Sequence, residues 1–465
     1  MINLSTIPTD FKEVRIAVLG AKRSGVMAAI LFARKGAKVL LSDAGSVEIE
    51  TEHLFELNRL NVDIELGGHT SKVIGSELAI LSPGIPNSAP VVQSLIQAGI
   101  PIVSEIEAAS WFIENSTIIG VTGSNGKTTT TTLLNEMFKD TKFEPYCGGN
   151  IGVSLSKLVM DAEKSTVPNK VFILELSSFQ LERIVHFHPN ISIMLNITPD
   201  HMDRYEHDLM LYFAAKLRIA LNQNRNDFYI YNDDDRLLCE NLPKNCQTVP
   251  AGIYSKSDKP VYADEKSIYL KSGEKLIDRL ELYLLGEHNL YNILASLNAA
   301  LICGISPKHL RDVLKRFKGI EHRLEYITTI NGVDYYNDSK ATNVDSVNYA
   351  LKSFTRPVIV ILGGKDKDSD FSLLIPNLKK HAKEAILVGK AAAVIRVVLE
   401  GVLPLTDVGY DMEKAIRTAQ AKANPGDVVM LSPACASFDM YKDYEHRGRA
   451  FKEIVHRVEK ETKSA

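Results

Sequence analysis

Several features that would steer this chain toward a membrane, a nucleic acid or an oxidising compartment are missing from it. No stretch of the 465 residues is apolar for the length a membrane span needs. Met1 to Asp10 is polar and lacks the basic flank and apolar core of a secretory leader, so a cytoplasmic protein is expected. The five cysteines, Cys147, Cys239, Cys246, Cys303 and Cys435, show no Cys-x-x-Cys spacing, which leaves neither a disulfide framework nor a zinc site indicated. Positive charge is not in excess either: 54 basic and 57 acidic residues give a net charge of −3, with no long single-sign run and no sign of a nucleic-acid surface. What is present is an ordinary soluble composition, 45% hydrophobic and 24% charged. At about 150 residues per domain the length predicts about three domains.

One stretch unites composition, spacing and flanks: Gly120-Val-Thr-Gly-Ser-Asn-Gly-Lys-Thr-Thr129. Thr117 to Val121 is β-branched and apolar, Gly123 to Gly126 is turn-prone, and Thr128 to Lys139 reads as a helix. In a strand, glycine loop and helix of this kind, backbone N–H groups and the positive helix end cradle phosphates. Lys127 would neutralise the β/γ charge and the Thr128 hydroxyl could ligate Mg²⁺. The usual pattern has glycine five residues before its Gly-Lys pair; here Val121 stands there. An ordinary turn before a helix is the plainer alternative.

Before this loop, residues 1–115 read as a first domain. Val14 to Gly20 is a buried-strand pattern followed by Gly20-Ala-Lys-Arg-Ser-Gly25, a helical run, and a second strand ending at Asp43. This is the opening of a βαβ nucleotide-binding unit with an acid after its second strand. Lys22 occupies the place of the second fingerprint glycine, which argues against NAD and toward a different diphosphate held by Arg23 and Ser24, with a purely structural turn as the alternative.

The central domain is expected over 116–318. Val171 to Leu174 is a strand that delivers Glu175, where a metal ligand belongs beside a phosphate loop, although a structural Glu fits too. Another strand runs into Asp200-His-Met-Asp-Arg-Tyr205, suited to a second cation or a substrate. In the next helix Lys216 shares the apolar stripe of Leu209, Tyr212, Phe213, Leu217 and Ala220. An inward lysine must pair with an acid, snorkel, or become a neutral reactive amine. Gly286-Glu-His-Asn-Leu-Tyr-Asn292 opens a long helix whose amides could read a base edge or cap the helix.

A third domain is expected over 319–465. Asn331-Gly332 between two β-rich runs predicts a hairpin. Its second strand leads into Asn337-Asp-Ser-Lys-Ala-Thr-Asn343, and three further strands alternate with helices, which predicts a parallel sheet. Gly363-Gly-Lys-Asp-Lys367 and Ser432-Pro-Ala-Cys-Ala-Ser437 fall at carboxyl ends, where an anionic substrate could bind; Lys365 reads as solvated loop charge.

Together the phosphate loop, Glu175-Leu-Ser-Ser-Phe-Gln-Leu, Asp200-His-Met-Asp-Arg-Tyr, Lys216 in Ala-Ala-Lys-Leu-Arg, His288-Asn-x-x-Asn292, His322-Arg, Asn337 to Asn343 and Ser432-Pro-Ala-Cys-Ala-Ser-Phe-Asp resemble the Mur ligases, in the family's order and across nearly the whole chain. The resemblance implies three α/β domains: a Rossmann-like parallel sheet, a central phosphate-loop ATPase-type domain and a C-terminal Rossmann-like domain. It also implies amide formation in peptidoglycan precursor synthesis, in which ATP converts a carboxylate to an acyl phosphate that an amino acid then attacks. The stretches Asn337 to Asn343, Gly363 to Phe371 and Ser432 to Gly448 point within the family to addition of D-glutamate to UDP-N-acetylmuramoyl-L-alanine.

By matching position, the resemblance gives Gly123, Ser124, Asn125, Gly126, Lys127, Thr128, Thr129, Asn289, Asn292, Arg323 and Asp338 to ATP. It gives Arg23, Ser24, Asp43, Asn150 and Ser177 to the UDP substrate, and Thr342, Lys367, Ser437 and Tyr444 to D-glutamate. Two Mg²⁺ sites would draw on Thr128 and Glu175, and on His201 with Lys216, the lysine being carbamylated. Ala44 and Gly45 depart from the polar residues common after Asp43, and Tyr444 stands where relatives often have phenylalanine. A monomer with small-molecule partners is expected. The rival readings are a sibling ligase with another amino acid, against which the Asp-Asn-Pro-Arg signature of diamino-acid addition is absent, a nucleotide-dependent switch, and an NAD-binding regulator.

Overall fold

The computed structural model describes residues 4–200, 202, 204–254, 259–284, 286–366 and 369–464. It divides into two compact units, Met1–Arg279 with Tyr291–Val313, and Leu280–Leu290 with Leu314–Ala465.

The first unit begins with β1 (Arg15–Leu19), β2 (Lys38–Asp43), β3 (Asp63–Leu66), β4 (Leu78–Leu81) and β5 (Ile102–Ser104), an all-parallel sheet of order β3-β2-β1-β4-β5. The strand order reverses between β1 and β4, which opens a crevice at their carboxyl ends. Gly20 turns there at φ 96°, and a Cβ on it would sit 2.6 Å from Ser82 Oγ, so only glycine fits.

A second parallel sheet follows: β6 (Thr117–Thr122), β7 (Glu144–Gly149), β8 (Lys170–Glu175), β9 (Ile191–Met194), β10 (Phe228–Tyr231) and β11 (Gln247–Pro250), in the order β11-β10-β9-β6-β8-β7. Its central strands are apolar on both faces, as helices on both sides require. The stretch Pro260 to Leu284 contains a regular antiparallel sheet of β12 (Val261–Ala263), β13 (Ser267–Leu270) and β14 (Lys275–Asp278).

The two parallel sheets share one core, and the helix Glu105–Ser110 pins them together. The Glu105 carboxylate accepts from the Ser156 amide (2.7 Å) and hydroxyl (2.6 Å). Glu107, fully buried, accepts from the amides of Val185, His186 and Phe187 and from Trp111 Nε1, all at 2.7–2.9 Å.

The second unit holds β15 (Glu325–Ile330), β16 (Val333–Asn337), β17 (Val358–Gly363), β18 (Ala382–Val388), β19 (Leu405–Asp407) and β20 (Val428–Leu431), in the order β15-β16-β20-β17-β18-β19. The predicted Asn-Gly hairpin joins β15 and β16. Because β15 returns antiparallel while the other neighbours run parallel, the sheet is mixed rather than wholly parallel. The α/β class expected from sequence is thus present in all three large sheets. Among the described residues no helix is long and apolar enough to cross a membrane.

Candidate active site

In the first unit the site grows from the carboxyl ends of β6, β8 and β9, three adjacent strands. The loop after β6 passes into the helix Lys127–Phe138 through Gly126, whose φ of 87° lies in the left-handed region. A side chain there would be strained and would collide with Asn292 Oδ1, so glycine lets the amide of Asn292 lie against the loop. The exposed side of the loop is stitched by Asn196, just beyond β9. Its Oδ1 accepts from the Asn125 amide (2.9 Å), its Nδ2 donates to Asn125 O (3.1 Å), and its carbonyl accepts from the Ser124 amide (3.0 Å). Ser124 Oγ donates to Thr198 O and accepts from the Thr198 amide. Lys127 Nζ donates to Gly123 O and Ser124 O, each at 2.8 Å. Thr128 is half-buried and Thr129 buried in the first helical turn.

Glu175 closes β8 at 2% exposure. Its Oε1 accepts from Asn150 Nδ2 (3.0 Å), whereas Oε2 is buried with no hydrogen-bond partner among the described residues. An orphaned carboxylate oxygen beside a phosphate loop carries a desolvation cost that a bound cation removes. The residues therefore fit a divalent ion.

Lys216, on the helix Leu209–Leu217, faces inward as its place on the apolar stripe required. At 1% exposure its Nζ donates to Gly123 O (2.9 Å) and lies 4.7 Å from the Tyr212 ring centre. Burial first, and then the neighbouring Lys127 charge, push its amine down to about 6. Lys127 and Lys216 thus converge on one carbonyl, that of Gly123. His201 lies outside the described residues. In the same motif Arg204 Nη2 donates to Glu182 Oε2 (2.8 Å) and stacks over Phe179, and Tyr205 donates to Glu182 Oε1 (2.6 Å).

Of the residues matched to the UDP substrate, Asn150 meets Glu175 as described, and Ser177 caps the helix Ser178–Leu181 in a reciprocal box with Gln180. Asp43 accepts from the Ala21 amide (2.7 Å) and the Gly45 amide (2.8 Å), one on each oxygen, and so fixes the glycine turn after β1. Arg23 is exposed and Ser24 half-buried in the first turn of the helix that follows. Asn289 and Asn292 are both buried on the helix Glu287–Ile302.

In the second unit, Asp338 follows β16 at 5% exposure, accepting from Ser432 Oγ (2.7 Å) and the Leu324 amide (3.2 Å). Burial raises its carboxyl to about 7. His322, at φ 66°, is buried and its Nδ1 accepts from Asn337 Nδ2 (2.8 Å), and Arg323 follows it half-buried. Thr342, Ser437 and Tyr444 belong to the loops after β16 and β20 and to the start of the helix Tyr444–Ser464. Lys367 lies outside the described residues. Lys365, read as solvated charge, pairs its backbone with Ala436 in an isolated bridge.

Sequence reasoning passed over Asn196 and Arg447. The signal that could have found Asn196 is a polar side chain closing a buried strand beside a phosphate loop. Arg447 was hidden inside the helical pattern of the last helix. It is 2% exposed, and its Nε, Nη1 and Nη2 donate to Ser339 Oγ (2.9 Å), Cys435 O (3.1 Å) and Ser339 O (2.8 Å).

Three α/β sheets, the central one bearing a glycine-lysine loop beside a strand-end carboxylate, define a multidomain protein of the phosphate-loop nucleotide class. Comparison with known proteins narrows this. The MurD N-terminal domain model matches residues 15–91, the Mur ligase middle domain residues 121–300, and the Mur ligase glutamate ligase domain residues 322–435. A UDP-N-acetylmuramoylalanine--D-glutamate ligase of Chloroherpeton thalassium is 38% identical over 467 residues, covering 96% of this chain and 98% of that protein. One of Salinibacter ruber is 39% identical over 462 residues, covering 96% and 99%. Among solved structures, the MurF ligase of Thermotoga maritima in complex with ADP has the same fold, with a TM-score of 0.56 at 16% identity and 96% of each chain covered. The chain belongs to the Mur ligase family.

Proposed function

We propose that this protein is an ATP-dependent amide ligase that joins D-glutamate to UDP-N-acetylmuramoyl-L-alanine, releasing ADP and phosphate, in peptidoglycan precursor synthesis. The observation that carries the reading is end-to-end similarity to relatives bearing that activity in their names, at 38–39% identity over 96% of the chain. The geometry supports it: two lysines and an orphaned carboxylate oxygen gather around one phosphate loop.

A carboxylate is a poor acyl donor until one of its oxygens becomes part of a phosphate. In the proposed sequence the L-alanyl carboxylate attacks the γ-phosphorus and ADP leaves, giving an acyl phosphate. The D-glutamate amine then adds to the acyl carbon, the tetrahedral intermediate collapses with loss of phosphate, and the amine proton is released. Lys127 balances charge on the transferring phosphoryl group, with the loop amides of Gly126 to Thr129 and the helix end. Thr128 and Glu175 would hold one Mg²⁺, and His201 with Lys216 a second; such ions supply charge neutralisation at the phosphates. Lys216 is proposed to add as an amine to carbon dioxide, losing a proton, to become a carbamate with carboxylate-like oxygens. Its burial and the absence of a paired acid among the described residues favour that modification.

The remaining roles follow the same reading. Asn289, Asn292, Arg323 and Asp338 contact ATP, Arg23, Ser24, Asp43, Asn150 and Ser177 the UDP substrate, and Thr342, Lys367, Ser437 and Tyr444 the D-glutamate. Residues 1–115, 116–318 and 319–465 would be the segments serving the UDP substrate, ATP and the amino acid respectively, in a cytoplasmic monomer. The chemistry is tested by labelling the substrate carboxylate with ¹⁸O. One labelled oxygen in the released phosphate is expected, and unlabelled phosphate accompanying amide formation would rule out the acyl phosphate.

A further inference from the structure

We infer that Arg447 is a positioning residue for the amino-acid substrate, a buried guanidinium that clamps together the loops on which that pocket is built. The inference rests on the proposed function for the identity of the amino acid, but not for the clamp itself.

Three adjacent strands, β16, β20 and β17, end in the loops that carry the candidate amino-acid residues. Arg447 reaches all three. Nε and Nη2 donate to the hydroxyl and carbonyl of Ser339, three residues before Thr342. Nη1 donates to the carbonyl of Cys435, two residues before Ser437. The loop after β17 is pressed against the same group, because a Cβ at Gly364 would lie 3.1 Å from Nη1, and at φ 134° that position is already glycine's. The Ser339 hydroxyl donates in turn to Tyr444 O at 2.8 Å, so Tyr444 joins the same chain of bonds.

Two features separate this from a simple packing arginine. Buried arginines generally pair with carboxylates, because an unpaired charge in a low-dielectric interior is costly. Arg447 is held by carbonyl and hydroxyl oxygens instead, and no carboxylate among the described residues lies within ion-pair distance of it. Its charge is met only at longer range, by Asp439 and Asp338, behind loops that would receive an amino acid with two carboxylates. Nη1 and Nη2 also donate to backbone carbonyls of two different loops, and a planar fork sets their separation as lysine could not.

The test uses the full-length Arg447→Met and Arg447→Lys variants. In Arg447→Met the KM for D-glutamate should rise about 30-fold while those for ATP and the UDP substrate stay within about threefold, as expected for losing buried charged hydrogen bonds on one pocket. In a third variant, Arg447→Ala, added guanidinium ion should recover about tenfold of the lost kcat/KM by refilling the cavity, and none in Arg447→Lys, where the side chain still occupies it. A D-glutamate KM unchanged in a folded variant, or a parallel rise in all three KM values, would overturn the proposal. Amide hydrogen exchange in Arg447→Lys reads the clamp without turnover. Faster exchange in 338–343 and 432–437 with β20 unchanged is expected, and wild-type exchange in both loops would also overturn it. If the wild type does not use D-glutamate, the function reading fails while the exchange result still decides the clamp.

Discussion

An amine buried with no acid at ion-pair distance among the described residues calls for some other compensating chemistry, and Lys216 is in that position, at 1% exposure with its Nζ on Gly123 O. As a carbamate it would become an anion among Lys127, the loop amides and a cation. Lys216→Ala should therefore fold normally yet lose at least about 100-fold in kcat, the scale of removing one electrostatic group from a transition state. Short carboxylates added to that variant should restore part of the rate, and an unrescued variant with full activity would remove the carbamate from the account. Asp338 allows a pH test. Its carboxyl is raised to about 7 by burial, against 3.8 in an unfolded chain. The folded state thus binds that proton more tightly, and stability falls as pH rises from about 4 to about 7. Asp338→Asn cannot pay this penalty, so its melting temperature should gain on the wild type between pH 5 and pH 8. A difference that stays constant over that range would contradict the assignment.

At the scale of elements, the helix Glu105–Ser110 is short, yet its two carboxylates join both parallel sheets. Glu107→Ala would leave three amides, the Phe187 amide buried and the other two half-buried, and an indole N–H without their acceptor, a loss of about 3–5 kcal/mol. Scanning calorimetry should show the first unit's transition moving down with the second unchanged, and an unmoved transition would mean that water replaces the carboxylate without cost. Which elements were legible follows from their composition. Runs such as Val171 to Leu174 and Val358 to Leu362 are continuously apolar and read as buried strands, as they proved. The edge strands β7 and β11 were passed over because Pro145, Gly148, Gly149 and the polar Gln247-Thr248 break any β pattern, and only pairing with β8 and β10 forms them. β3 and β19 are likewise short and solvent-facing at sheet edges. The mixed third sheet followed from a hairpin that the sequence announced but whose direction against its neighbours it could not give.

For the molecule as a whole, local motifs were legible because phosphate-loop chemistry demands particular residues at fixed spacing, and Lys127 and Lys216 both reach the carbonyl of Gly123 in that loop. Long-range clamps were not. Nothing near Arg447 in sequence signals that Ser339 and Cys435 would receive it, since those contacts span 108 and 12 residues and exist only once the sheet is closed. Asp43, singled out for ligand chemistry, also holds the amides of Ala21 and Gly45 on its two oxygens, a contact that needs the folded crevice. The account as a whole stands on one reaction. The most direct measurement is phosphate release from ATP with UDP-N-acetylmuramoyl-L-alanine, comparing D-glutamate with L-glutamate, L-alanine, L-lysine and meso-diaminopimelate. Release that depends on D-glutamate alone is the predicted result. Turnover with another of these amino acids would contradict the substrate assignment and move the chain to a sibling ligase, and no turnover with any of them would contradict the ligase reading itself.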